Sequence, residues 1–371
     1  MPDERVRGQK PQEGGAPAAE RRYRSPTIGE IFRRAGGIEV PEAMKEAARK
    51  LPARSSGDIA LTRVFEGLGS VTGRVDKIYN EVINSLRGAS YTLEDIQPFI
   101  DRNAKALKSN ENSGVILSAM INNIIKEGDK VEFDSSGLLL KYVGYKLPCG
   151  TLTINGTAGD YAGYSMSGGT LTINGNAGDH AGDSMSDGIL TIHGNARDQA
   201  GHYMRGGTLT INGNAGGRAG DSMSSGTLTI NGSAGSRAGS SMSGGTLTIH
   251  GNPRGWAGSS MSGGTLTIQG NASDQAGSSM SGGTLTIHGN AGREAGFFMS
   301  GGALTIKGSA GDSTGYYMSS GKLVIKGNSG YETGYNTIQS TGTIVIEGEA
   351  KSVADRNMRG GKLFVNGKKV K

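Results

Sequence analysis

The sequence predicts a mainly β protein: a parallel β-helix of about 12–13 coils of 19 residues, preceded by a small α-helical domain. Three observations carry the prediction. Every nineteenth residue from Met166 to Met318 is methionine (Met166, Met185, Met204, Met223, Met242, Met261, Met280, Met299, Met318), and a fixed period of this size means stacked copies of a unit too small to bury its apolar face alone. Within one copy, Leu152 and Ile154 stand two apart among Thr151, Thr153 and Asn155, the alternation of a half-buried strand. Glycines such as Gly156, Gly159, Gly163, Gly168 and Gly169 interrupt the remainder, opposing helix and leaving turns. Because the unit recurs without inversion, successive strands run parallel and each coil pairs only with its neighbours.

Taken in chain order, residues 1–25 are rich in Pro, Glu, Arg, Gly and Ala and read as a disordered tail. A helical cap or docking domain is expected over 26–128. Thr27 followed by Glu30 has the form of a capping box, Pro41 suits a first helical turn and Pro52 ends that stretch, so two helices are expected there. Val64, Phe65, Leu68, Val71, Val75, Ile78, Tyr79, Val82 and Leu86 recur at helical spacing, with Gly67, Gly69 and Gly73 interrupting the front half. Thr92 with Asp95 marks a further cap leading to Ile96, Phe99, Ile100 and Leu107. Pro98 is expected to kink that helix, and Val115 to Ile125 makes a last one. Helices directly ahead of the first coil would cover a strand edge that otherwise templates aggregation.

The β-helix is expected over 129–371. Its leucine column runs through 152, 171, 190, 209, 228, 247, 266, 285, 304 and 323, continues as Ile344 and ends at Leu363, which makes twelve coils. At about 4.8 Å per coil the stack is roughly 55–60 Å long. A degenerate coil precedes them, since Phe133, Gly137, Val143, Gly144, Leu147 and Gly150 fall nineteen residues before Leu152, Gly156, Ala162, Gly163, Met166 and Gly169. The interior is narrow, built from Ala158, Ala162 and their copies beside one Leu, one Ile and one unbranched, gap-filling Met per coil. Lys362, Lys368, Lys369 and Lys371 crowd the last coil, a common guard against edge-to-edge pairing.

Composition narrows the setting. Of the 65 glycines, 15 precede Gly150 and 50 lie from there onward, which separates the two domains. One cysteine, Cys149, rules out an internal disulfide framework and fits a reducing compartment. The opening Met-Pro-Asp-Glu-Arg-Val-Arg has no apolar signal region and no later stretch is long enough to span a bilayer, so the cytoplasm is expected. The glycosylation-type triplets at Asn155, Asn231 and Asn271 are then chance products of the repeat. A net charge of +6 is spread thinly, without aromatic residues interleaved at nucleic-acid-reading spacing, so neither nucleic acid nor membrane is an expected partner.

The string Gly-Asn-Ala-Gly-x-x-Ala-Gly-x-x-Met-x-Gly-Gly-x-Leu-x-Ile-x-Gly, at Gly175 to Gly194 and again at Gly213 to Gly232, with Asp187 and Ser225 in place of one glycine, resembles the GXGXG repeat. That repeat is found in the C-terminal domain of the glutamate synthase large subunit and in one of the subunits of formylmethanofuran dehydrogenase. The resemblance covers about residues 131–371 and implies a right-handed β-helix. It also implies a scaffold that holds catalytic domains or sibling subunits of an oxidoreductase in position. The chain departs from both families in having no amidohydrolase, amidotransferase or flavin-barrel region.

Neither a cofactor nor a metal site is expected from the residues. His193, His250 and His288 share one outward column but lie three and then two coils apart, roughly 14 and 10 Å. His180 and His202 occupy other columns without an evident carboxylate or cysteine partner. The glycine triplets open no helix and so make no phosphate loop. Asp183, Ser184 and His202 include the residue types of a hydrolytic triad, but serines occupy that face in most copies, which reads as a solvated surface. No catalytic residue is therefore assigned.

Two surface features break the monotony. The columns through residues 164 and 165 read Ser-Ser in the middle coils and become Phe297-Phe298, Tyr316-Tyr317 and Tyr335-Asn336 near the end, beside Tyr331. Exposed aromatics are enriched at binding hot spots, so Phe297, Phe298, Tyr316, Tyr317, Tyr331 and Tyr335 are the candidate protein interface, with packing on the C-terminal tail as the competing explanation. Tyr142, Tyr145, Tyr161 and Tyr164 form a smaller group at the opposite end. Paired threonine rows, from Thr151 and Thr153 to Thr284 and Thr286, resemble ice-binding surfaces, though β-propensity alone explains them. The expectation is a non-catalytic scaffold or interaction subunit with protein partners or sibling subunits. The alternatives are an oxidoreductase-associated enzyme subunit and an ice or surface binder.

Overall fold

The computed structural model describes residues 55–68, 73–135, 137–335, 341–352 and 360–370. The tail expected over 1–25 and the two helices expected between Thr27 and Pro52 lie outside the described residues. Among the described residues four helices come first: α1 (Ser56–Leu68), α2 (Val75–Ser85), α3 (Ile96–Ser109) and α4 (Ser113–Asn122), with a 3-10 turn at Leu93–Asp95 ahead of α3. Of the apolar series, Val64, Phe65 and Leu68 fall in α1 and Val75, Ile78, Tyr79 and Val82 in α2, with Leu86 capping α2 and Gly73 at φ +137 two residues before it. Thr92 and Asp95 form the expected capping box. Pro98 falls in the first turn of α3, where its missing N–H leaves no helical bond unmade, and α3 runs as one helix to Ser109.

Thirteen parallel strands then follow one another in sequence order within a single sheet, from β1 (Lys130–Asp134) and β2 (Thr151–Asn155) to β13 (Lys362–Val365), each bonded to its chain neighbours. Like residues meet across coils: Leu152 pairs with Leu171 and Ile154 with Ile173. Away from the sheet, successive coils are joined by parallel alanine bridges such as Ala177 to Ala196 and Ala196 to Ala215. The interior is the predicted set of columns. The Leu and Ile of each coil and all nine periodic methionines are at most 1 % exposed, and burial of such side chains stabilises by about 1.5–3 kcal/mol each. At the corner beside the methionine, Gly163 sits at φ +70, and a Cβ there would come 3.0 Å from Leu190 and 3.1 Å from the Met166 sulfur. Conformation and space both demand glycine in this column.

The turns are stitched by an asparagine ladder that the spacing alone did not reveal. Asn176 Oδ1 accepts the N–H of Asn195, Asn195 that of Asn214, and Asn214 that of Ser233, each at 2.7–2.8 Å. Each coil thus satisfies a backbone donor of the next.

Two coils depart from nineteen residues. Val131 pairs with Leu152 and Phe133 with Ile154, so the first strand is offset by 21 residues and Phe133 does not lie beneath Leu152 as expected. The turn regains the regular register, since Tyr142 N–H donates to Asp160 just as Tyr161 N–H donates to Asp179. Two extra residues are therefore absorbed between Asp134 and Tyr142, where Leu138 and Leu140 are buried and Leu139 is exposed. Leu323 and Ile344 are likewise 21 apart.

Both ends are closed. Residues 113–121 of α4 are all buried, and Gly114 approaches so closely that a Cβ would stand 2.0 Å from the Lys141 carbonyl oxygen. Ser118 Oγ accepts the Tyr145 N–H (3.2 Å) and lies 3.0 Å from the Tyr142 carbonyl oxygen, while Asn122 Nδ2 donates to the Tyr145 carbonyl at 2.8 Å. From α3, Gln97 accepts the N–H of Asp134 on the first strand (2.9 Å). At the far end, Asn366 at φ +49 and Gly367 at φ +73 turn the chain back, and β14 (Lys368–Lys369) pairs antiparallel with β13. Such a two-residue turn is the strongest short hairpin signal. The lysine guard expected there is accompanied by this hairpin, with Lys362, Lys368 and Lys369 exposed and Lys371 outside the described residues.

Candidate functional site

Each described coil corner from Tyr142 to Glu332 holds non-glycine residues in left-handed backbone. In the second full turn Tyr161 stands at φ 61 and Ser165 at φ 55, either side of Gly163. Left-handed geometry costs a non-glycine residue roughly 1–2 kcal/mol. It is held by bonds to the next coil, Tyr161 N–H to Asp179 (2.7 Å) and Ser165 N–H to Asp183 (2.9 Å). The corner places side chains of columns 161, 164 and 165 one above another at the coil spacing, so neighbouring coils stack whatever rings they carry there.

At the N-terminal end this makes a ladder joined to the helices through buried Tyr145, with Tyr142, Tyr161 and Tyr164 half-buried. Tyr142 and Tyr161 stack at 4.6 Å and 6°, Tyr161 and His180 at 4.5 Å and 8°, and Tyr145 and Tyr164 at 5.9 Å and 6°. Tyr145 is 1 % exposed. Its hydroxyl donates to Asp76 of α2, which also pairs with Lys146 at 2.7 Å. The Lys146 hydrogen bond, with that of Tyr145 behind it, holds the Asp76 carboxyl below its ordinary range. Burial pushes the Tyr142 phenol up to about 12. Burial, followed by the hydrogen bond to Asp76, raises Tyr145 as well.

Immediately above stands a group that like-column comparison does not join. His180 comes from column 161, Asp183 from column 164 of the same coil, and His202 from column 164 of the next. Asp183 Oδ2 lies 3.0 Å from His180 Nδ1 and 3.3 Å from His202 Nδ1. A carboxylate therefore does accompany these two histidines, and columns 161 and 164 written side by side would have revealed it. Ser184 Oγ donates to Asp183 Oδ1 at 2.6 Å. The serine hydroxyl is thus bonded to the carboxylate, not to an imidazole, which is not the relay that activates a nucleophile. His193, His250 and His288 contact their own neighbours instead: Asn212, the Ile230 carbonyl and Lys307.

At the C-terminal end the same corner carries the predicted aromatic cluster. Phe297 and Phe298 meet at 4.4 Å, Phe298 and Tyr317 stack at 5.0 Å and 8°, Phe297 and Tyr316 at 5.7 Å, and Tyr316 and Tyr335 at 5.2 Å. Phe298 is 50 % and Tyr317 38 % exposed. Tyr331 stands four positions before Tyr335 in the same coil, with its N–H on Asp312 (2.9 Å) and the Lys351 ammonium 5.3 Å from its ring centre. Between the two ladders the corner is serine-rich, as in Ser240 bonded to Ser259 at 2.9 Å. The threonine rows lie in register on the strand side, broken where Ile189 and Ala303 replace threonine.

The repeated glycine spacing that shapes this corner is also what defines a known group of proteins. The pattern described as the GXGXG motif matches residues 99–287, which is 189 of the 371 residues. The chain belongs to the GXGXG motif family. The match begins within α3 and ends at Ile287, and the same coil architecture continues beyond it to Val365. No curated protein matches the chain. Among the described residues, no helix is long and apolar enough to cross a membrane.

Proposed function

We propose that this GXGXG protein is a cytoplasmic scaffold whose C-terminal aromatic ladder docks a partner protein. The observation that carries the reading is the exposed, stacked pair Phe298 and Tyr317 on a rigid corner. Large aromatic side chains, already ordered before contact, lose little freedom on binding and supply most of the energy at hot spots. A mixed fringe surrounds them, with Lys351 over Tyr331 and Glu332 exposed beside it, so the partner surface would be apolar at its centre and polar at its rim. The resemblance to the glutamate synthase and formylmethanofuran dehydrogenase repeats supports a specific form of this reading, in which the partner is the catalytic component of an oxidoreductase assembly.

Photo-crosslinking tests the proposal. A crosslinking amino acid replaces Tyr317 in the full chain, or Ser279 in the serine-rich stretch, within native extract. A discrete adduct with an oxidoreductase subunit at position 317, absent at 279 and abolished by Phe298→Asp in the same chain, is expected. Equal labelling at both positions, or an adduct that persists with Phe298→Asp while the fold is intact by circular dichroism, would overturn it.

A further inference from the structure

We propose that His180, Asp183 and His202 form a binding site for a divalent first-row transition metal ion, with Zn²⁺ as its natural probe. The three residues each offer a ligand atom, and these atoms all lie within 4.8 Å of one another. For Zn–N and Zn–O bonds of about 2.0–2.1 Å, a tetrahedral ion holds its ligand atoms about 3.3 Å apart. The separations of 3.0 and 3.3 Å from Asp183 Oδ2 to the two imidazole nitrogens already have that scale. Two imidazoles and one carboxylate suit such ions better than Mg²⁺ or Ca²⁺, which prefer all-oxygen surroundings.

The ligands are held by a second layer of contacts. His180 is stacked on Tyr161 (4.5 Å, 8°) and His202 lies against Tyr203 (3.8 Å). Ser184 occupies Asp183 Oδ1, leaving Oδ2 turned towards the imidazoles. Residues 180, 184 and 203 are all fixed in left-handed backbone. Orientation by such neighbours is what a metal site needs beyond its ligands. Asp183 is 7 % exposed at its side chain while His180 and His202 are 20 % and 13 % exposed, so the carboxylate is shielded and the imidazole side remains open to an ion and its water. Coordination through both Nδ1 atoms places each ring proton on Nε2. The repeat makes this constellation once: the equivalent positions one coil earlier are Tyr161, Tyr164 and Asp183, and two coils later Arg218, Asp221 and Ser240.

The site is tested on the untagged full chain, stripped with chelator and titrated with Zn²⁺ by calorimetry, then with Co²⁺ by visible absorption. One equivalent per chain and an intense Co²⁺ band in the tetrahedral range are expected. His202→Ala and His180→Gln should each weaken Zn²⁺ binding by at least about 100-fold, since loss of outer-shell partners alone costs about 10–100-fold. His288→Ala should bind as the parent does, and because the His variants alter only partly exposed rings, unchanged circular dichroism separates ligand loss from unfolding. Absence of saturable binding would reduce the cluster to a carboxylate pairing with two imidazoles and overturn the proposal, as would binding that survives in both His180→Gln and His202→Ala.

Discussion

The two aromatic ladders occupy one corner of one solenoid, yet they are put to opposite uses. At the N-terminal end Tyr145 is 1 % exposed and tied to Asp76 and Ser118, whereas at the C-terminal end its column counterpart Phe297 is only half-buried and the adjacent Phe298 is 50 % exposed. Backbone geometry does not distinguish the two ends: in the column through residue 165, Lys146 stands at φ 53, Ser165 at φ 55, Phe298 at φ 55 and Tyr317 at φ 57. The coil fixes where corner side chains point, and what lies opposite decides their role. A helix laid beneath the first coil turns a ladder into core, and open solvent leaves it a surface.

The largest expected effect separates the ends by stability. Tyr145→Ala should lower unfolding free energy by about 3–5 kcal/mol, as for other buried aromatic truncations. Phe298→Ala should change it by less than about 1 kcal/mol, as surface substitutions do. Urea denaturation followed by circular dichroism measures both, and equal losses would erase the distinction.

Next in size is the seam itself. Ser118→Ala removes two hydrogen bonds, the one accepted from the Tyr145 N–H, which keeps its bond to the Tyr142 carbonyl, and the one the hydroxyl donates to the Gly114 carbonyl, an expected cost of about 1–3 kcal/mol in all at about 0.5–1.5 kcal/mol each. Hydrogen exchange should show the loss concentrated at residues 113–147. A smaller, position-independent effect is expected of the asparagine ladder: Asn214→Ala should cost about 0.5–1.5 kcal/mol, the net worth of a hydrogen bond, and Asn290→Ala the same. A clear difference between them would mean that the middle coils are not equivalent.

The smallest effect is in pH. Because the folded Asp76 carboxyl titrates below its unfolded value of 3.8, its contribution is fully present above that value. It is lost as pH falls through the lower folded value. Asp76→Asn should therefore lower the plateau above about pH 4 slightly and converge on the parent in acid, which flattens the acid limb; the effect is small because the side chain is largely exposed and screened. Thermal melts from pH 2 to 7 would show it.

Much of this was legible in the sequence because a strict period converts spacing into contact. Met185 and Met204 had to share an environment, and Phe297 had to lie near Tyr316, once nineteen residues meant one coil. What escaped was whatever required comparing unlike columns or broken periods. Asp183 joins His180 and His202 diagonally, three residues along one coil and one step up to the next. The two-residue offset of β1 was hidden because the turn after it keeps the regular spacing, so Phe133 looked aligned with Leu152. Pro98 suggests a kink only if α3 begins well before Ile96, and its true start makes the proline harmless. The closing hairpin had a readable signal in Asn366-Gly367, masked by Asn-Gly pairs in so many other coils.

Hydroxyl-radical footprinting of the intact chain, read residue by residue by mass spectrometry, tests the central claim most directly. Phe298 and Tyr317 should be modified readily, while Tyr145 and the buried methionines from Met166 to Met318 stay protected until the protein unfolds. Comparable modification of Tyr145 and Phe298, or early oxidation of Met185 and Met204 in the native state, would contradict a single stacked corner covered by helix at its first coil and exposed to solvent near its last.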